Sequence, residues 1–127
     1  MLRHALLLSV RPKFADRILD GKKSIELRRV RPVVPEGAVL LVYVSSPVKA
    51  LGAISTVQCV TSAQPDEMWR RVKDKAGLTR AEFDNYFTGA EEAFAIHLGR
   101  IQRLSPPLGL SELRKLIADN AGSEDGR

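Results

Sequence analysis

The chain has 127 residues, 44% of them hydrophobic, with one cysteine and a formal net charge of +5, a length that suits a single domain with one core. No apolar run approaches the roughly 18 residues of a membrane span, a lone Cys59 excludes an internal disulfide, and "ALLL" at 5–8 is too short for the core of a secretion signal, so a cytoplasmic protein is expected. Residues 1–31 carry nine Lys/Arg against three acids, a surplus of +6, while the remaining 96 residues sum to −1; this favours an anionic partner such as nucleic acid or a phosphorylated small molecule, although a solvated basic surface carries the same charges.

In chain order, "ALLLSV" at 5–10 reads as a buried first strand. Pro12 suits the first turn of a helix, which places Phe14, Ile18 and Leu19 on one face and ends at Asp20-Gly21. "SIELRRVR" at 24–31 alternates: Ile25 and Leu27 point one way, Ser24, Glu26, Arg28 and Val30 the other. "RPVVPEGA" is a loop. "AVLLVYVSS" at 38–46 is apolar on both faces, as in a central strand. "VKALGAISTVQCV" at 48–60 reads as a long strand in which Gly52 marks a bulge or a close backbone approach, and Cys59 packs as a small hydrophobe.

Two helices follow. "QPDEMWRRVKDKAG" has Pro and acids at its start, lysines near its end and Gly77 as its stop. "TRAEFDNYFTG" opens with Thr79 and Glu82 three apart, a capping box, and sets Phe83, Tyr86 and Phe87 on its apolar face. "EEAFAIHLGRIQRL" returns to strand alternation until Ser105-Pro106-Pro107 breaks it. "SELRKLIAD" reads as a short last helix with Leu113, Leu116 and Ile117 inward, and "NAGSEDGR" at 120–127 as a frayed tail, leaving one domain over 1–119. About five to six strands, three in a row, predict an α+β protein: a small mixed or antiparallel sheet curled into a barrel with flanking helices.

No Gly-rich phosphate loop, CxxC or HExxH occurs. His4 and His97 lack ligand spacing with any other His or Cys, so neither a metal nor another cofactor is expected; His97 reads as a hydrogen-bonded strand histidine. The chemistry concentrates in "ILDGKKSIELRR" at 18–29. Gly21 lets the chain turn sharply from helix to strand, and Lys23 sits at the strand's start. Glu26 and Arg28 share a face about 7 Å apart, from the strand rise. They pair with each other on an exposed face, or they present an acceptor and a forked donor to one polar ligand.

Gly21, Lys23, Glu26 and Arg28 meet the pattern G-x-K-x-x-E-x-R, which resembles the signature of the ASCH domain, a branch of the PUA-like superfamily. The likeness continues through "SVRPKFADRIL", "VLLVYVSSP" and "VKALGAISTV". From "MWRR" to "EAFAIHLGRI" it looks like the helical insert and closing strand of a bacterial subgroup labelled as transcriptional regulators. It covers residues 5–105. The resemblance implies a PUA-like β-barrel with a cleft beside the first helix, lined by Lys23, Glu26 and Arg28, and a ligand that is RNA, a nucleotide or a modified nucleoside. Ser45, Ser46 and Tyr43 are candidate neighbours, the tyrosine for stacking on a base; core packing and turn capping are their plainer roles. Lys22 and Arg11, with Lys13, Arg29 and Arg31 on the rim, would attract phosphates.

Some ASCH relatives resemble amidohydrolases that deacetylate acetylated cytidine, with a threonine nucleophile three positions after the lysine. Here that position is Glu26, which does not attack an amide as an alkoxide does. If the chain is an enzyme, Lys23 and Glu26 are its acid–base candidates, acting on a modified nucleoside through water or on RNA through a ribose hydroxyl. The oligomeric state is not legible.

Overall fold

In the computed structural model, residues 5–109, 111–112 and 114–115 are described. Most of the expected last helix, and the tail at 120–127, lie outside the described residues. The elements are β1 (Ala5–Val10), α1 (Pro12–Leu19), β2 (Ile25–Arg28), β3 (Val39–Val44), β4 (Ala50–Ala63), α2 (Pro65–Val72), α3 (Arg80–Tyr86), β5 (Ala93–Leu98) and β6 (Gln102–Gly109). Among the described residues this is an α+β fold, a mixed six-stranded half-barrel with three helices. The strand path is β1-β3-β4-β5-β2, with β6 also on β4. β1 runs parallel to β3; every other pair is antiparallel.

β4 organises the sheet. Its first half pairs with β3 and β6, its second half with β5. Gly52 is the extra residue of a bulge, since Val42 faces Ala53 while Tyr43 faces Leu51. A Cβ there would sit 3.1 Å from Val44 Cγ2, so the sequence signal was one of close approach as well.

Two apolar clusters lie on opposite faces. Leu8, Val10, Ile18, Leu40, Val42, Ile96 and Leu98 pack around α1. Ile25, Leu27, Met68, Val72, Phe83 and Phe87 pack under α2 and α3. β5 serves both, since Ile96 and Leu98 join the first cluster and Ala93 and Ala95 the second. Each fully buried Ile, Leu or Phe contributes roughly 1.5–3 kcal/mol.

Three details differ from the sequence reading. β1 is an edge strand rather than a buried one: only Leu8 and Val10 are fully buried, Leu6 packs part-buried beside them, and Leu7 is 52% exposed. α2 ends at Val72, before Gly77, and the carbonyls of Lys75, Ala76 and Gly77 in the turns beyond it accept from the α1–β2 corner. The strand expected over 91–104 is divided. β5 stops at Leu98, and β6 begins at Gln102 after a break at 99–101, with Pro106 and Pro107 inside it. Those prolines sit between the pairs Leu108–Leu51 and Arg103–Ala53, in a register shift where no ladder N–H is required.

Candidate functional site

The α1–β2 corner forms as its residues dictate. Gly21 has φ +83, the left-handed conformation that closes α1. The Lys23 amide then donates to Arg17 O (2.9 Å) and the Ser24 amide to Lys75 O (2.8 Å). From that point β2 alternates, with Ile25 and Leu27 buried and Glu26 and Arg28 on the opposite face.

Lys23 is only 3% exposed. Its Nζ donates to Ala76 O at 2.9 Å and lies 3.6 Å from Glu26 Oε1. Glu26, 12% exposed, holds Arg28 through its other oxygen at 3.1 Å. The three heads form a chain of ammonium, carboxylate and guanidinium. Burial lowers the Lys23 pKa from its usual 10.5, and Glu26 only partly offsets this. An ammonium carries three N–H donors; one goes to Ala76 and one faces Glu26.

A cleft of about 410 Å³ opens over this chain, within the size range of small-ligand sites. The α1–β2 corner supplies Lys23, and β2 supplies Glu26 and Arg28. Arg11, Lys13 and Phe14 come from the start of α1, and Glu82, Asn85 and Tyr86 from α3. Glu82 accepts from Lys13 Nζ (2.6 Å), Arg17 NH1 (3.1 Å) and the Thr79 amide (2.9 Å). These donors, Lys13 first, hold its carboxyl down to about 2. Tyr86 is 38% exposed, its ring edge-on to Phe87 at 4.9 Å. Burial pushes its phenol up.

Of the residues singled out in the sequence, Arg11, Lys23, Glu26 and Arg28 meet in the cleft. Lys22 is exposed at the corner, its amide on Asp20 Oδ1. Tyr43 is half-buried beside Ser9 in the β1–β3 register, outside the cleft lining. The Ser45 amide ties the end of β3 to Val10 O, and Ser46 is exposed in the turn; neither lines the cleft. Arg29 is engaged by the carbonyls of Tyr86 and Thr88, and Arg31 lies over the Phe94 ring. His97 shares a 2.9 Å hydrogen bond with Thr61 Oγ1, the satisfied strand histidine expected.

Sequence reasoning missed Glu82, Asn85 and Tyr86. The capping box explained Glu82 locally, and Tyr86 read as part of the apolar face of its helix. The overlooked signal was composition: that helix places an acid, an amide and a phenol close together, Glu82, Asn85 and Tyr86.

The chain matches the family described as "Domain of unknown function (DUF365)" over residues 4–117. It is similar to an "ASCH domain-containing ribonuclease" of Zymomonas mobilis subsp. mobilis, 29% identical over 117 residues that span 92% of this chain and 78% of that protein. The crystal structure of ASCH from Zymomonas mobilis superposes with a TM-score of 0.85 at 29% identity, covering 92% of this chain and 81% of that one. The N-terminal domain of Staphylothermus marinus McrB gives a TM-score of 0.56 at 12% identity over 95% of this chain and 87% of its own, a likeness of fold alone.

Proposed function

Because this chain belongs to the DUF365 family and is a homologue of the ASCH domain, we propose that it binds single-stranded RNA, seats one unstacked nucleotide in the α1–β2–α3 cleft and cleaves the strand there. The observation that carries this reading is the chain of buried Lys23, Glu26 and half-exposed Arg28 lining a nucleotide-sized hollow. The name of the Zymomonas relative adds support from outside the chain.

The parts divide as follows. Arg11 and Arg28 attract the backbone phosphates. Tyr86 offers a ring edge and a hydroxyl beside the base. Glu26 accepts the proton of the ribose 2′-hydroxyl as its oxygen attacks the neighbouring phosphorus. Lys23, whose proton is held less tightly than in water, donates it to the departing 5′-oxygen. The P–O2′ bond forms as the P–O5′ bond breaks, leaving a 2′,3′-cyclic phosphate and a 5′-hydroxyl. Guanidinium groups stabilise the charge gained by the phosphoryl oxygens.

The test is a short labelled RNA beside the DNA of the same sequence. RNA is expected to be cut to a cyclic-phosphate end and DNA to be bound but left intact. Lys23→Met is expected to abolish cutting. If neither strand shifts the melting temperature, the reading is wrong. A free modified nucleoside is the competing occupant, and acetylated cytidine added to the same assay distinguishes it by whether cytidine appears.

A further inference from the structure

Glu82 lines the cleft, yet it takes no part in the acid–base scheme. Two of its three donors have structural reasons to be there. The Thr79 amide is half of the capping box, and Arg17 also donates to Gly77 O, so it is held without the glutamate. Lys13 differs: its side chain is 60% exposed and lines the same cleft, and Glu82 is its ion partner at 2.6 Å. A phosphate oxygen and a carboxylate oxygen make the same charge-assisted bond to an ammonium. The carboxylate therefore stands where a phosphodiester would meet the α1 wall. Lys13 meets solvent, which weakens the pair from its side and lets a competing anion reach the ammonium.

We propose that Glu82 masks an anion subsite centred on Lys13 and thereby acts as the specificity-determining residue of the cleft. It confines the RNA backbone to the Arg11–Arg28 side and holds off ligands that bring further phosphate to α1. Its biological meaning rests on the RNA reading; the masked subsite itself does not.

The test compares the wild type with Glu82→Gln, which keeps the capping box because glutamine serves at that position. Pyrophosphate is expected to raise the melting temperature of the variant by clearly more than that of the wild type at the same concentration. Single-stranded RNA is expected to bind the variant roughly tenfold tighter at 50 mM salt, with a log–log salt slope steeper by about 0.7, one added phosphate contact. Lys13→Ala in the variant background removes both gains. An equal pyrophosphate response in the two proteins overturns the proposal. A pyrophosphate gain without RNA binding by either protein leaves the subsite standing and overturns the RNA reading. Should Glu82→Gln fail to fold, Glu82→Asp draws the carboxylate back from Lys13 by one methylene, and the same outcomes decide.

Discussion

Gly77 has no room for a methyl group. Its φ is +64, and a Cβ would lie 2.7 Å from Lys23 Cβ. The left-handed conformation alone costs an L-residue roughly 1–2 kcal/mol. Gly77→Ala is therefore expected to lower stability by about 2–3 kcal/mol in urea denaturation and to weaken RNA binding by displacing Lys23. Glu26 has a comparable double role. Glu26→Gln removes the negative charge beside the buried Lys23 cation and leaves it only neutral acceptors, the Ala76 carbonyl and the amide oxygen. The expected loss is about 2 kcal/mol, below that of a fully buried pair because Glu26 meets solvent at one edge. Its pH dependence has a definite sign. The folded state releases the Lys23 proton at a lower pH than the unfolded chain, whose value is near 10.5. Between those two values the unfolded chain binds more protons, so stability rises with pH across that window. In the variant the lowering is deeper, so the rise is expected to begin at lower pH in a denaturation series.

At the scale of elements, α3 is a short helix that depends on its ends. The capping box satisfies two of its amides, and Thr79→Ala is expected to cost about 1 kcal/mol. Glu82 links this cap to α1. Its folded carboxyl is held to about 2, against 4.5 for an ordinary glutamate, so the stabilisation it provides is fully present above 4.5 and is lost as pH falls toward 2. Acid titration followed by circular dichroism should show this loss in the wild type and its absence in Glu82→Gln. A persistent loss in the variant would assign the acid sensitivity to other carboxylates. α2 and α3 are in turn held by Phe83, whose ring packs at a tilt against Trp69 at 5.1 Å and Phe87 at 4.6 Å. Phe83→Ala is expected to cost about 3–5 kcal/mol.

For the whole molecule, the half-barrel brings the start of α1, strand β2 and the distant α3 around one hollow. The corner and the α2–α3 connection lock each other. Lys23 Nζ, the Ser24 amide and Arg17 donate to three successive carbonyls, those of Ala76, Lys75 and Gly77. A cleft assembled this way gathers Arg11 from the start of α1 and Arg28 from β2 in its lining. The wild-type affinity for single-stranded RNA is expected to fall with salt at a slope of about −1.4, two phosphate contacts for Arg11 and Arg28. A flat salt dependence would mean that the rim does not meet the backbone.

By itself the sequence determined the local elements and the direction of the signature. Period-two alternation put Glu26 and Arg28 opposite Ile25 and Leu27, Gly21 marked the corner, Gly52 the bulge, and Thr79 with Glu82 the capped helix, because all of these are set by neighbours a few residues away. Only the tertiary structure decided that Tyr86 rather than Tyr43 lines the cleft, that Glu82 caps one helix and pairs with another, that Lys22 stays in solvent while Lys23 is buried, and that the prolines at 106 and 107 sit inside a strand. Those outcomes depend on contacts between residues some 50 or more positions apart, such as Lys23 with Ala76 and Arg17 with Glu82. No short-range periodicity encodes such pairs; the packing of α2 and α3 back over the first corner creates them.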